Sequence, residues 1–439
     1  MLSLTMTTFP DNLSFIMITL EELRTSLLEQ REGFEKQDLG IERAKLAEIA
    51  TYKDTPYSVI ISGLRRAGKS TLLAQIAKNF YPDGNYFFVN FEDDRFVSFT
   101  TSDFAKLHEL FIELFGNQKV FFLDEVQIIE GWEIFVNRMM RDGYKFYITG
   151  SNASLLSKEL GTKLTGRHLP VELLPFSFTE YLTFKRVASP DITRLTTIQR
   201  GELKNIFAEY LQKGGVPQAI QYPELPILKT LYDDILQKDI VVRYKLPDIK
   251  PLKELSFYLL SNITSLVSFN KLKDLLKFGS TNTVSSYVEY LETSWLFFVV
   301  SKYAFSVKEQ QIANKKMYCV DTGLVKSVAF SFSENKGKFL ENIVFVNLWR
   351  RYKEVYYYKT QKDNEVDFYI PSKRLFIQVS QTITDATTRE RELRALIEAI
   401  KETDGSTGLI LTEDRKETID IDGNKISVFP IYEWLLTEN

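Results

Sequence analysis

Four groups of residues have the types and spacing to do chemistry. Gly63-Leu64-Arg65-Arg66-Ala67-Gly68-Lys69-Ser70 fits G-x-x-x-x-G-K-[ST] at every fixed position, with Thr71 next. Glycines in such a loop let backbone N–H groups approach phosphate oxygens, helped by the positive end of the following helix. Lys69 would reach the β- and γ-phosphates of ATP, and the Ser70 hydroxyl would complete a Mg²⁺ shell. The second group is Asp124-Glu125, two carboxylates closing the apolar run Val120–Leu123. Asp124 would hold Mg²⁺ through its water shell, and Glu125 would polarise the water that attacks the γ-phosphate. The third is Gly150-Ser151-Asn152, where a small polar residue can reach between that water and the phosphate, although the same three residues make an ordinary turn. The fourth is Arg167, either a charge-neutralising arginine finger or a surface loop residue.

The elements that must position these groups are readable from apolar periodicity. Val59, Ile60 and Ile61 form a strand into Gly63, and Leu72, Leu73, Ile76 and Ala77 mark a helix leaving Lys69. Tyr86–Phe91, Val120–Asp124, Phe146–Thr149 and His168–Leu173 read as further strands, with helices over Asp103–Phe115 and Trp132–Arg141 between them. Upstream, Leu20, Leu23, Leu27 and Leu28 share one helical face, and a more polar helix is expected from about Ile41 to Ile49. The first sixteen residues, ahead of Met17, read as an untidy start rather than structure.

Bulk numbers narrow the class. A length of 439 residues suggests about three domains, and 44% hydrophobic with 26% charged residues is ordinary globular composition. A formal charge of −3 supplies no global positive field, so any DNA binding needs a local patch. One cysteine, Cys319, excludes a disulfide framework and suits a reducing cytoplasm; with two histidines it leaves little for a zinc site. The longest strongly apolar run, Trp295–Val300, is too short to span a bilayer, and the N-terminal residues lack the basic start of a signal peptide.

With the P-loop, Leu123-Asp-Glu-Val-Gln127, Ile148-Thr-Gly-Ser-Asn152, Leu164-Thr-Gly-Arg167 and Leu174-Pro-Phe-Ser-Phe-Thr-Glu-Tyr181, the chain resembles prokaryotic AAA+-type ATPases that carry a C-terminal DUF4143 region. The resemblance runs from about Glu21 nearly to the end, through Gly214-Gly-Val-Pro217, Lys238–Tyr244, Asp321-Thr-Gly-Leu324 and Glu365-Val-Asp-Phe368. It implies a sensor residue at Ser151 or Asn152, a finger at Arg167 that acts in trans, and hence a homo-oligomer.

The expected fold is α/β: N-terminal helices and an AAA+-like P-loop NTPase core over 1–180, a helical lid over 181–250, a winged helix over 251–335 and a nuclease-like α/β domain over 336–439. In the winged helix, Phe269–Leu276 and a helix capped by Thr281 precede wing strands at Leu296–Val300 and Met317–Val320. The third helix offers Asn282, Ser285, Ser286 and Tyr287 but no Lys or Arg, while Lys271, Lys273 and Lys277 lie nearby; DNA contact and plain protein packing both fit. The tail resembles a PD-(D/E)xK nuclease, which implies a metal site at Glu341, Asp367 and an acid and lysine on the third strand. Those last two positions read Gln378 and Ser380, so a scaffold without cleavage is the expectation. The function expected is an ATP- and Mg²⁺-dependent switch acting on a protein or nucleic-acid partner. The alternative is an ATP-regulated DNA-binding or defence protein.

Overall fold

The computed structural model describes residues 18–156, 163–164, 166–188, 190–329, 336–403, 406–421 and 423–437. The first sixteen residues and Thr165 of the Leu164–Arg167 run lie outside the described residues. Strands β1 (Ser58–Ser62), β2 (Phe87–Asn90), β3 (Val120–Asp124), β4 (Lys145–Gly150) and β5 (His168–Glu172) form a parallel sheet in the order β2-β3-β4-β1-β5. Every residue of β1 and β3 is buried, as continuous apolar strands covered on both faces should be.

Alternation along these strands divides the core in two. Ile60, Phe121, Leu123, Phe146 and Ile148 face the helices Phe104–Phe115 and Trp132–Arg141. Val59, Ile61, Phe122 and Tyr147 face the helix Lys69–Phe80. The polar helix expected from Ile41 is shorter, Lys45–Ala50. Its first turn is lost because Arg43 turns inward there, its backbone N–H donating to Gln75 Oε1 at 3.2 Å.

Helices Phe178–Phe184, Thr197–Lys213, Pro217–Gln221 and Ile227–Asp234 follow the sheet. The last continues as an eight-residue π-helix, Ile235–Val242. The wider π turn keeps Ile235, Leu236, Asp239 and Ile240 buried together, which brings the carboxylate of Asp239 to the P-loop.

Next come helices Lys250–Ser261, Phe269–Leu275 and Thr281–Thr293 with an antiparallel sheet ordered β6 (Leu266–Val267)-β8 (Lys315–Cys319)-β7 (Phe297–Val300). This is the element order of a winged helix, with β6 unanticipated. The third helix is capped by Ser280 rather than Thr281: Ser280 has extended backbone and its hydroxyl accepts the Thr283 N–H at 3.1 Å. That helix packs against the turn Ala153–Leu156 and the π-helix.

Helix Lys336–Arg351 leads to a six-stranded mixed sheet in the order β13-β14-β12-β11-β10-β9. Its strands are β9 (Tyr356–Lys359), β10 (Glu365–Ile370), β11 (Leu375–Val379), β12 (Thr407–Thr412), β13 (Glu417–Ile421) and β14 (Asn424–Pro430), with helix Ala386–Glu402 on one face. One apolar cluster runs from Leu64 and Ala67 of the P-loop through the helices after β5, the three-stranded sheet and Phe339–Leu348. Nucleotide loop and tail therefore share a core. Among the described residues no helix is long and apolar enough to cross a membrane.

Candidate nucleotide site

The P-loop leaves β1 at Gly63, where a Cβ would stand 2.0 Å from the Leu173 carbonyl oxygen, so only glycine lets the loop pass the end of β5. Gly68, at φ +94°, turns the chain into the Lys69–Phe80 helix. Lys69 is buried, its ammonium donating to the Gly63 and Leu64 carbonyls at 3.2 and 3.3 Å and lying 3.4 Å from Glu125 Oε1. Ser70 stands in the first turn of the same helix, close enough to Asp124 to favour its charged form.

Asp124 and Glu125 end β3 side by side, both buried. Thr149, at the end of neighbouring β4, bonds both: its hydroxyl donates to Asp124 Oδ1 and accepts the Glu125 N–H at 3.0 Å. That N–H is aimed by a left-handed backbone, Glu125 having φ 51°, a conformation a residue with a Cβ keeps only when its surroundings hold it. Burial and the adjacent Glu125 charge push the Asp124 carboxyl up. Burial opposes the Glu125 charge too, but Lys69, the Gln127 amide and Arg65 outweigh it and hold that carboxyl below its usual range. Glu125 is thus the more readily ionised carboxylate of the pair, and Gln127 Nε2 donates to it at 2.6 Å.

Ser70 and Asp124 fit a divalent cation: a hydroxyl and a buried carboxylate, both hard oxygen donors, lie near each other beside the Glu125 charge. Two buried polar atoms beside them, Ser151 Oγ and Gln127 Oε1, have no hydrogen-bond partner among the described residues. Such orphaned groups suit a site that receives a polar substrate.

The remaining sequence-predicted residues are placed differently. Asn152 is buried at the β4 exit, but its side chain accepts the Ser154 N–H at 2.8 Å and its carbonyl accepts the Ser62 hydroxyl at 2.7 Å. Arg65 and Arg66 present their side chains to acids outside the loop. Arg65 bonds Asp239 at 3.0 and 3.2 Å and Glu92 at 2.9 Å, and Arg66 bonds Asp234 at 3.2 Å. Thr71 Oγ1 accepts from Gln37 at 3.3 Å. Arg167 is exposed, and its carbonyl accepts from Ser58 at the start of β1. The P-loop leaves the other end of that strand, roughly 13 Å away at about 3.3 Å per residue, so Arg167 stands apart from this chain's own loop.

Three contributors escape sequence reading. Arg43 is buried behind the loop, donating to the Ala67 carbonyl at 2.6 Å, the Leu174 carbonyl at 2.7 Å and Glu180 at 2.9 Å. Trp295 Nε1 donates to Ser62 Oγ at 3.0 Å, one residue before Gly63. Thr149 is the third. Neither Arg43 nor Trp295 lies near the loop in sequence, and Thr149 reads as one more strand residue.

Comparison with known proteins puts an AAA domain over the region that holds this site. A family model described as an AAA domain matches residues 55–182; two described as domains of unknown function, DUF8612 and DUF4143, match 204–335 and 336–434. An uncharacterized protein of Methanocaldococcus jannaschii is 33% identical over 437 residues, spanning 94% of this chain and 97% of its own. An uncharacterized Haemophilus influenzae protein is 32% identical over 408 residues, spanning 89% and 97%. Among solved structures the chain is similar to the Aeropyrum pernix Orc1 protein in complex with DNA, with TM-score 0.32, 13% identity and coverage of 68% of this chain and 95% of that one. It is also similar to Cdc6p from Pyrobaculum aerophilum, with TM-score 0.27, 11% identity and coverage of 72% and 98%. No functional assignment rests on scores of that size. With a third of its residues shared with a full-length relative and both end regions matched, the chain belongs to the family of AAA-type ATPases that carry a C-terminal DUF4143 region.

Proposed function

We propose that this protein is a Mg²⁺-dependent ATPase that works as a nucleotide-driven switch on a protein or nucleic-acid partner. The observation that carries the reading is the junction of Lys69, Ser70, Asp124 and Glu125, brought together from the P-loop helix and β3. Lys69 would move from the loop carbonyls to the β- and γ-phosphates, leaving Glu125 free of its ion pair. Glu125, charged at neutral pH, would then take a proton from a water in line with the γ-phosphorus. Ser70 and Asp124 would hold the Mg²⁺, which when bound supplies charge neutralisation on the phosphate oxygens. Ser151 Oγ or Asn152 would steady the water, and Arg167 would act from a neighbouring copy.

Arg65 and Arg66 connect the loop to Asp239 and Asp234, so phosphates arriving at the loop would compete for the same cations and alter the hold on those helices. Glu125→Gln is expected to abolish hydrolysis while ATP still binds with affinity within a few-fold of wild type. Turnover by that variant at the wild-type rate would remove Glu125 from the mechanism. The same variant held in ATP should retain its partner in a pulldown.

A further inference from the structure

The C-terminal sheet brings together the acids of the nuclease-like site, and something already stands among them. Glu341 comes from helix Lys336–Arg351, and Glu365 and Asp367 come from β10. Between them lies the ammonium of Lys316, a residue of β8 in the preceding three-stranded sheet. It sits 2.7 Å from Glu365 Oε1, 2.9 Å from Glu341 Oε1 and 3.2 Å from Asp367 Oδ1. Lys316 is only 2% exposed, and its backbone is held by pairing to β6 and β7.

The other positions around the acids are filled as well. Tyr318 OH donates to Glu341 Oε1 at 2.7 Å, and the Val379 N–H donates to Asp367 Oδ2 at 2.9 Å. Gln378, standing where a nuclease would have its acid, accepts the Asp367 N–H at 3.2 Å. The ammonium donates to Glu341 and Asp367 and pairs with Glu365, so one cation answers all three carboxylates. Among the described residues no group of three or more His, Cys, Asp or Glu is arranged to hold a metal ion.

We propose that Lys316 is the permanent cation of this carboxylate site, a charged joint that ties β8 to the C-terminal sheet and excludes a divalent metal from it. The lysine absent from the third strand is thus replaced by one from another region, placed to neutralise the acids rather than to serve a reaction. Strand alternation puts Lys316 on the same side of β8 as Tyr318, so both side chains enter the joint together. The two regions would then move as one body whatever the P-loop binds, and the proposal stands independently of the ATPase reading.

The test is a Mn²⁺ titration of the full-length, nucleotide-free protein, following free Mn²⁺ by electron paramagnetic resonance, with thermal unfolding alongside. Wild type and Asp367→Asn should give the same isotherm, since any ion near Asp124 is common to both. Lys316→Met should lower Tm by roughly 5–15 °C, because it strands buried carboxylates. Adding Glu341→Gln to Lys316→Met should recover part of that loss. Mn²⁺ binding to wild type that Asp367→Asn removes would overturn the proposal, as would a Lys316→Met protein as stable as wild type. If Lys316→Met fails to fold, the wild-type titration still decides whether a metal enters.

Discussion

Thr149 shows how much of the site rests on one hydroxyl. It donates to Asp124 and accepts from the Glu125 backbone, so a single side chain holds one carboxylate and the main chain of the other residue. Thr149→Val keeps the shape and removes both bonds. Outer partners of this kind are worth about 10- to 100-fold in activity, and steady-state ATP hydrolysis should fall by that order. Nucleotide affinity, measured separately, should change far less. Asp321 gives a second residue-scale test. It is buried, caps the Thr322–Val328 helix and accepts the Gly215 N–H at 2.6 Å and the Leu324 N–H at 3.2 Å. Burial pushes its carboxyl from 3.8 up to about 6. Because the folded value lies above the unfolded one, its contribution to stability is present below pH ~4 and lost as pH rises through ~6, a change of up to about 3 kcal/mol. Urea midpoints of wild type and Asp321→Asn between pH 4 and 7 should show the variant with the shallower pH dependence. The variant should also be less stable at pH 5, since one of its two acceptors becomes a donor facing an N–H.

At the scale of elements, the π-helix Ile235–Val242 is the piece most tightly coupled to the nucleotide loop. Its Asp239 is buried and depends on Arg65 for charge compensation, while Glu92 shares that arginine from a more exposed position. Arg65→Ala would leave Asp239 buried and unpaired, which costs about 3–5 kcal/mol where a buried pair is broken. Amides over 235–242 should then exchange at least about 10-fold faster in hydrogen-exchange mass spectrometry. Those of β1 and β3 should keep their protection. Equal exchange in that helix would mean that Arg65 does not hold it. The Thr281–Thr293 helix makes a related point. It packs on the Ala153–Leu156 turn and on the π-helix, while Asn282 and Ser285 stay exposed at its N-terminal end.

For the whole molecule, the continuous apolar cluster from the P-loop to the C-terminal helix and the Trp295–Ser62 bond connect the nucleotide loop to the later regions through one core. Arg167 is the exception, at the far end of β1 from the loop. If it completes a neighbour's site, Arg167→Ala and Glu125→Gln should each be inactive alone. Mixed in equal amounts they should regain up to about a quarter of wild-type turnover, because a mixed assembly contains interfaces that keep both groups. Activity that stays at background in the mixture, with both variants assembled, would take Arg167 out of the trans role.

The sequence alone determined the P-loop, the β3 carboxylates and the five-stranded core, because each is local: a short apolar strand, a loop with fixed glycines, a helix of period 3.6. It also carried the Phe269–Leu275 and Thr281–Thr293 helices ahead of the strands at Phe297–Val300 and Lys315–Cys319, and the loss of the third-strand acid and lysine in the tail. What only the tertiary structure decided are pairings between residues far apart in the chain. Nothing near Lys316 announces Glu341, Glu365 and Asp367, and nothing near Ser62 announces Trp295. The same holds for Arg43 with Ala67 and Glu180, and for Arg65 with Asp239. Burying a charge requires a partner within a few ångströms, but that requirement does not say which element brings the partner. Periodicity exposes which face of a strand or helix is buried; the identity of the neighbour across that face is settled by packing.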